Sequence, residues 1–420
     1  MNKSVTVVIS VLVVIVVVFG ALYGLGLIHM NTPAASTNST GAKNVVGANI
    51  VSSSLGNTWK QDYGATGTVS NLSTFMSITS GRSLGGIPTV QYSPTVQYNS
   101  VVSAASSPPP SNSVAFSISS FQFAVFSPNG SGFATIGYAE YKSAANASAV
   151  FGYIFDHANN TTSAGSSHIT TGKTSAGYQY IYAWNATSSS TLKPHNQNMS
   201  ILLGNYNAYL IVIFYLTPTN GTLSKFVNLY SAEINVLSSA STSTPVSTFV
   251  SDAKLGTDIG NNWTTSLSVS INVTNATNII KEFSGNINGT NATQRMLLNQ
   301  TLGNLTEFGM QSYGAGTTNL SVISYAKFKS STAPTLIFDG ITASIHNTSI
   351  KPVGFNGSNY LYFNYNYSGS GNSSFVMHSY NVSLLIAYYN DYIVFMYYVG
   401  SNAVTQAHFQ LLLGDELKLL

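Results

Sequence analysis

The sequence predicts an α+β protein: two tandem homologous domains, each an antiparallel sheet with two packed helices, behind one N-terminal transmembrane helix. Three observations predict it. The chain opens with an uncharged apolar run, its last forty residues align with an earlier segment, and each copy switches between strand and helix periodicity in the same order.

The apolar run extends from Val5 to Ile28, long enough as a helix to span a bilayer core of roughly 30 Å. Lys3 precedes it and the next basic residue is Lys43, so the positive-inside rule places the N-terminus in the cytoplasm and the rest of the chain outside. Residues 1–30 are thus expected to anchor a single-pass cell-membrane protein with an extracellular C-terminal ectodomain, in contact with membrane lipid through residues 5–28. Two alternatives stay open: a secretory signal cleaved near Gly20, Ala21 and Gly24, and a pilin-type leader cut at Lys3-Ser4 that frees the helix for filament assembly. Residues 31–50, rich in Thr, Ser, Ala and Gly, read as a flexible stalk.

The remainder is a duplication, with copy one at 51–238, a Ser/Thr linker with Pro245 at 239–247, and copy two at 248–420. Asn198 to Leu237 aligns without a gap on Asn381 to Leu420, with about 12 identities in about 40 positions. Tyr138-Ala139-Glu140-Tyr141-Lys142-Ser143 answers Tyr325-Ala326-Lys327-Phe328-Lys329-Ser330, and Leu55-Gly56-Asn57-Thr58-Trp59 answers Ile259-Gly260-Asn261-Asn262-Trp263. Copy one carries a Pro-rich insertion near 87–113, with two Pro-Thr-Val-Gln-Tyr repeats and Pro108-Pro109-Pro110, read as an extended loop.

Within copy one, Phe133 to Tyr141, Tyr178 to Trp184, Ser200 to Leu203 and Tyr209 to Leu216 have strand character. Ala147, Val150, Phe151 and Ile154 have helical spacing, with Ser143, and Ser330 in copy two, placed to cap. Phe226, Tyr230, Ile234 and Leu237, mirrored by Phe409, Leu413, Leu417 and Leu420, form the stripe of a closing amphipathic helix. Asn205-Tyr206-Asn207 and Tyr389-Asn390-Asp391 read as hairpin turns. Each copy is expected to run strand, helix, three antiparallel strands, helix, with its helices on one face.

Charged residues make up 6% of the chain, 15 basic and 12 acidic, against 26 Tyr and 21 Phe. No Lys or Arg run offers a footprint for nucleic acid, and the absence of Cys excludes disulfides, thiolate metal sites and Cys nucleophiles. N-glycosylation triplets number about 22 beyond the apolar run, about twice the chance rate for this composition. Candidate acceptors are Asn38, Asn71, Asn129, Asn146, Asn185, Asn198, Asn220, Asn272, Asn288, Asn304, Asn319, Asn347, Asn356 and Asn381. Hydroxyls, amides and glycans in place of charges keep a surface hydrated where salt bridges would titrate, as in acid. An N-terminal anchor, no Cys, few charges, many sequons and many Tyr together make a chain that resembles the membrane-anchored surface glycoproteins of archaea.

Chemistry is sparse. Asp156-His157 is the one adjacent acid and His pair, and His157, His168, His195, His346, His378 and His408 show no metal-ligand spacing. Gly81-Arg82-Ser83-Leu84-Gly85 spells a nucleophile elbow, but its flanks are too polar for the buried strand and helix such an elbow joins, so Ser83 reads as loop. Glu233 and Glu416 match near the ends of the closing helices and Lys142 and Lys329 match ahead of the earlier ones; each Lys reads as pairing with a carboxylate or solvating a helix end, with a functional role for the matches as the alternative. The aromatic strand Tyr388 to Tyr398 reads as core rather than as a sugar platform. The expected function is therefore structural, adhesive or ligand-binding, without catalysis, cofactor or metal. Its expected partners are lateral proteins or surface glycans. Rival readings are a surface-filament subunit, a glycan or solute receptor between the two domains, and a hydrolase using Ser83.

Overall fold

The structure, a computed structural model, describes residues 44–70, 114, 117–129, 132–161, 168–184, 198–217, 221–239, 249–275, 303–316, 319–345, 350–367 and 380–420. The first half runs α1 (Ala48–Leu55), β1 (Trp59–Val69), β2 (Ile118–Pro128), β3 (Phe133–Tyr141), α2 (Ala144–Thr161), β4 (His168–Lys173), β5 (Gln179–Trp184), β6 (Asn198–Tyr206), β7 (Tyr209–Thr217) and α3 (Leu223–Ser239). The second repeats that order as α4 (Asp252–Ile259), β8 (Thr264–Val273), β9 (Leu305–Ala315), β10 (Asn319–Phe328), α5 (Thr332–Ser344), β11 (Val353–Phe355), β12 (Ser358–Tyr367), β13 (Tyr380–Tyr389), β14 (Tyr392–Gly400) and α6 (Gln406–Glu416).

Among the described residues the strands form one antiparallel sheet of 14, ordered β11-β12-β13-β14-β10-β9-β8-β1-β2-β3-β7-β6-β5-β4. At the usual strand spacing it is roughly 60 Å wide along its hydrogen-bonding direction. This corrects the expected pair of separate sheets. The halves meet edge to edge through β1 and β8, which pair from Tyr63↔Val273 to Val69↔Leu267. Trp59 corresponds to Trp263, so Thr66 corresponds to Ser270, and those two residues are themselves partners in the ladder. A local two-fold axis therefore passes through the Thr66–Ser270 pair. The contacts around it repeat: Ser70 N donates to Ser266 O at 3.0 Å, and Thr274 N donates to Asp62 O at 2.7 Å. Both strands bulge at the corresponding place, around Asp62 and around Ser266.

The expectation of two helices per half, all on one face, is also corrected: among the described residues each half has three, shared between both faces. Val51 and Leu55 of α1 and Phe226, Leu229, Tyr230 and Ile234 of α3 pack over Ile136, Leu202, Ile211 and Ile213. Leu255 and Ile259 of α4 and Phe409, Leu412 and Leu413 of α6 do the same over Ile323, Leu385, Val394 and Met396. The opposite side holds α2, with Val150 and Phe151 over Ile181 and Leu210, and α5, with Phe338 and Ile341 over Leu361, Ile386 and Ile393. Neighbours along one strand point to opposite faces, so Tyr180 and Tyr182 go under α3 while Ile181 goes under α2. Strands covered on both sides lose their alternation, as in Tyr209–Thr217, where nearly every residue is buried.

Local chemistry explains the repeated blocks. The Gly-Asn step after α1 and α4 needs positive φ at both residues, 78° and 65° at Gly56 and Asn57, 75° and 70° at Gly260 and Asn261. That turn brings each Trp back onto its own helix end: Trp59 Nε1 donates to Gly56 O at 2.6 Å and Trp263 Nε1 to Gly260 O at 2.5 Å. The hairpin turns fall at Asn207 and Asn390, both with φ of 50°. Ser143 Oγ accepts from Asn146 N at 3.2 Å, as a cap should. In the second half the residue before α5 is Ser331 rather than Ser330, and its side chain makes no capping bond.

The expected anchor at Val5–Ile28, the stalk up to residue 43, the insertion near 87–113 and Ser83 lie outside the described residues. Among the described residues no helix is long and apolar enough to cross a membrane.

Candidate functional site at the internal dyad

The four central strands present two unlike faces. On the α2 and α5 side, Val69, Phe121, Leu267 and Val269 are buried together. On the other side, between the α1/α3 and α4/α6 pairs, the same strands show Thr66, Thr68, Ser268 and Ser270, all half-exposed, and Asn272, exposed. Register sets them in rows: Ser120, Thr68, Ser268 and Gln311 in one, and Gln122, Thr66, Ser270 and Gly309 in the next. The result is a shallow floor of hydroxyls and amides with the two-fold axis at its centre.

Its charges sit at diagonal corners. Glu140 on β3 accepts from Ser120 Oγ at 2.6 Å and from Tyr209 OH at 3.0 Å, so both carboxylate oxygens are engaged. The corresponding position on β10 is Lys327, whose ammonium lies 5.1 Å from the centre of the Tyr392 ring. Lys327 is paired in register with Glu307, which accepts from Tyr325 OH at 2.5 Å. Burial pushes the Tyr209 phenol up, with the Glu140 charge adding to it, so Tyr209 acts as a neutral donor to the Glu140 carboxylate across the ordinary pH range. Such a floor offers many hydrogen-bond partners to a neutral polar surface. Gln311 tightens one row, donating to Thr265 Oγ1 at 2.9 Å, which in turn donates to Asp252 at 2.6 Å.

Glu233 and Glu416 are fully buried. Glu233 Oε2 accepts from Val46 N at 2.9 Å, and Glu416 Oε2 from Val250 N at 3.1 Å. Each closing helix thereby pins the backbone just ahead of its half's leading helix. The other oxygen of each carboxyl has no hydrogen-bond partner among the described residues. Burial outweighs the backbone bond and lifts Glu233 to about 7 and Glu416 to about 8. The signal in the sequence was a Glu in phase with the apolar stripe in both copies. Asp62 was also missed: it is buried in the β1 bulge and accepts from Ser127 Oγ.

Lys142 and Lys329 are exposed, and their backbone N–H groups make matching bonds to Ser117 O and Asn304 O, both at 2.8 Å. Asp156 lies half-buried on α2. Among the described residues no three metal-ligating side chains cluster. Tyr392, Val394, Met396 and Tyr398 of the aromatic strand are buried. Of the candidate glycan acceptors, Asn129, Asn272 and Asn356 are exposed, while Asn146, Asn198, Asn304 and Asn381 are half-buried. Asn146 Nδ2 donates to Ser117 Oγ at 2.8 Å and Asn381 Nδ2 to Ser401 O at 3.0 Å. Asn319 is buried and accepts from Ser401 N. Asn38, Asn71, Asn185, Asn220, Asn288 and Asn347 lie outside the described residues.

No protein-family model matches the chain, and no curated protein does. Among solved structures, the extracellular domain of PknH from Mycobacterium tuberculosis is similar over 41% of this chain and 92% of that domain, with 9% identity and a TM-score of 0.24. A likeness that slight carries no argument.

Proposed function

We propose that the protein is a cell-surface glycoprotein, tethered through Val5–Ile28, whose ectodomain serves as a non-catalytic surface for lateral packing or adhesion. The observation that carries the reading is the pairing of β1 with β8. It turns two homologous halves into one broad sheet with an open face of hydroxyls and amides, rather than two modules free to swing on a linker. A wide neutral surface suits many weak polar contacts made at once, to a neighbouring protein or to surface glycans. The apolar run, the doubled sequon count and the exposed acceptors Asn129, Asn272 and Asn356 support the outward placement.

Fractionation and protease shaving of native cells test the reading. The untruncated protein is expected to stay with membranes through a high-salt wash and to be cut by protease added to intact cells. Its quantitative release by salt, or full protection in intact cells, would refute the tethered surface role.

A further inference from the structure

The two outer edges of the sheet are finished differently. An unpaired edge strand exposes N–H and C=O groups that template pairing with another chain, and proteins blunt such edges with charges, proline, bulges or short strands. In the first half, β4 has 6 residues, covers all of β5 and ends in exposed Lys173. In the second half β11 has 3 residues and covers Ser358–Tyr360 of β12 alone. Pro352, which has no N–H, precedes Val353 where that ladder stops. Among the described residues, Leu361–Tyr367 of β12 therefore pairs with β13 on one side and with nothing on the other.

That stretch reads Leu-Tyr-Phe-Asn-Tyr-Asn-Tyr, with no charge and no proline, and its register against β13 has no bulge. Tyr365 is 57% exposed. An unbulged, neutral, aromatic edge of this kind is an association hazard, and among the described residues none of the usual devices protects it. It does contain the triplet Asn366-Tyr367-Ser368. The Asn366 side chain is exposed and makes no hydrogen bond among the described residues, whereas its cross-strand neighbour Asn381 has its amide committed to Ser401 O.

We propose that Asn366 is an N-glycosylation site whose glycan guards the free edge of β12 against the same edge of a second copy. The proposal rests on the surface-glycoprotein reading, because export exposes the chain to the host glycosyltransferase. The donor is an oligosaccharide on a lipid phosphate or diphosphate. The Nδ2–C1 bond forms as the C1–O bond to phosphate breaks, and the amide proton passes to a base of the transferase. In a protein with so few charges, the glycan does at this edge what lysine does elsewhere.

The pairing it prevents is defined by the strand itself. Laid antiparallel about a two-fold axis at Asn364, Leu361–Tyr367 overlaps its copy completely, with Phe363 beside the second copy's Tyr365 and Asn364 against Asn364. Paired residues share a face, so at the centre aromatic meets aromatic and amide meets amide, while Tyr362 lies against the second copy's Asn366. β1 and β8 already join in this way within one chain.

Glycopeptide mapping and sedimentation of the full-length chain in mild detergent test the proposal. Asn366 is expected to be occupied in protein from the native host. The native protein should sediment as a lower-order species than Asn366→Gln made in the same host, whose self-association should tighten at least tenfold. Asn356→Gln should leave the native state unchanged. Adding Asn364→Lys to Asn366→Gln should abolish the association, because each Lys would face its own copy. Mixing that chain with its Asn364→Asp counterpart should restore it, showing that both fold. A bare Asn366 alongside occupied Asn129, Asn272 or Asn356 would overturn this proposal and leave the surface-glycoprotein reading standing, whereas no glycan at any sequon would overturn that reading as well. An Asn366→Gln chain that associates no more than the native protein, or association that survives Asn364→Lys, would overturn the guarding role.

Discussion

Glu233 and Glu416 make the protein's stability fall as pH rises through neutrality. Each carboxyl has an ordinary value of 4.5 and is lifted by burial, to about 7 at Glu233 and about 8 at Glu416. A raised acid holds its proton in the folded state at a pH where the unfolded chain has released it. The folded state is therefore favoured fully below about pH 4.5, and the advantage drains away up to about pH 7 for one group and about pH 8 for the other. At about 1.4 kcal/mol per pH unit the loss is on the order of 3 kcal/mol at Glu233 and 5 kcal/mol at Glu416. The half-buried Asp415 works in the opposite sense at the acid end, because Lys254 and the exposed Lys418 hold its carboxyl below the usual range; screening by solvent keeps that effect small. Urea unfolding followed by circular dichroism from pH 4 to pH 9 should show a midpoint that declines between these limits. Gln keeps an acceptor for the Val46 and Val250 amides but cannot ionise, so Glu233→Gln with Glu416→Gln should flatten the profile and raise stability at pH 9 above wild type. An unchanged slope in the double variant, or a wild type that gains stability from pH 5 to pH 9, would refute the assignment.

Three further outcomes are expected. A Cβ at Gly204 would lie 2.3 Å from the buried Tyr230 ring, so Gly204→Ala should cost about 3 kcal/mol in chemical denaturation; the second half has Ala387 and Leu413 at the matching places, and Tyr230→Leu in the same chain should recover much of the loss. At the dyad, Thr66→Lys with Ser270→Asp should be more stable than Thr66→Lys with Ser270→Lys by about 1 kcal/mol, since the two side chains are direct cross-strand partners, and equal stabilities would contradict that register. Trp59→Phe removes the donor to Gly56 O and should cost about 2 kcal/mol by thermal or urea unfolding, with Trp263→Phe behaving alike.

The parts of the fold legible in the sequence were those whose side chains repeat with their pattern intact. The hairpins β6–β7 and β13–β14 keep Asn207 and Asn390 at the turn, the closing helices keep their apolar stripe, and the Trp blocks keep Gly-Asn. β1 and β8 were not legible because their open face is Gly, Thr and Ser, which reads as linker, and only the buried alternates Ala65, Val69, Leu267 and Val269 mark them as strands. Edge pairing between the halves uses backbone groups, which every sequence carries, so nothing in the side chains announced the single sheet. Helices on both faces were missed for a related reason: β7 and β14 are apolar throughout, and an apolar run does not say how many layers cover it. The central hydroxyl floor exists only once β1 and β8 are joined, so no local pattern could have revealed it.

The local two-fold also differs from that of a true homodimer in what a mutation can do. Where two identical chains meet, every substitution appears on both sides of the axis, and an improvement on one side can be cancelled by its own image. Here the halves share a fold but not a sequence, and Glu140 faces the world from the place that Lys327 holds on the other side. Gln122 likewise stands where Gly309 stands. The scaffold keeps its symmetry while its surface is free to lose it, so the sheet has a left and a right that a neighbouring molecule can tell apart.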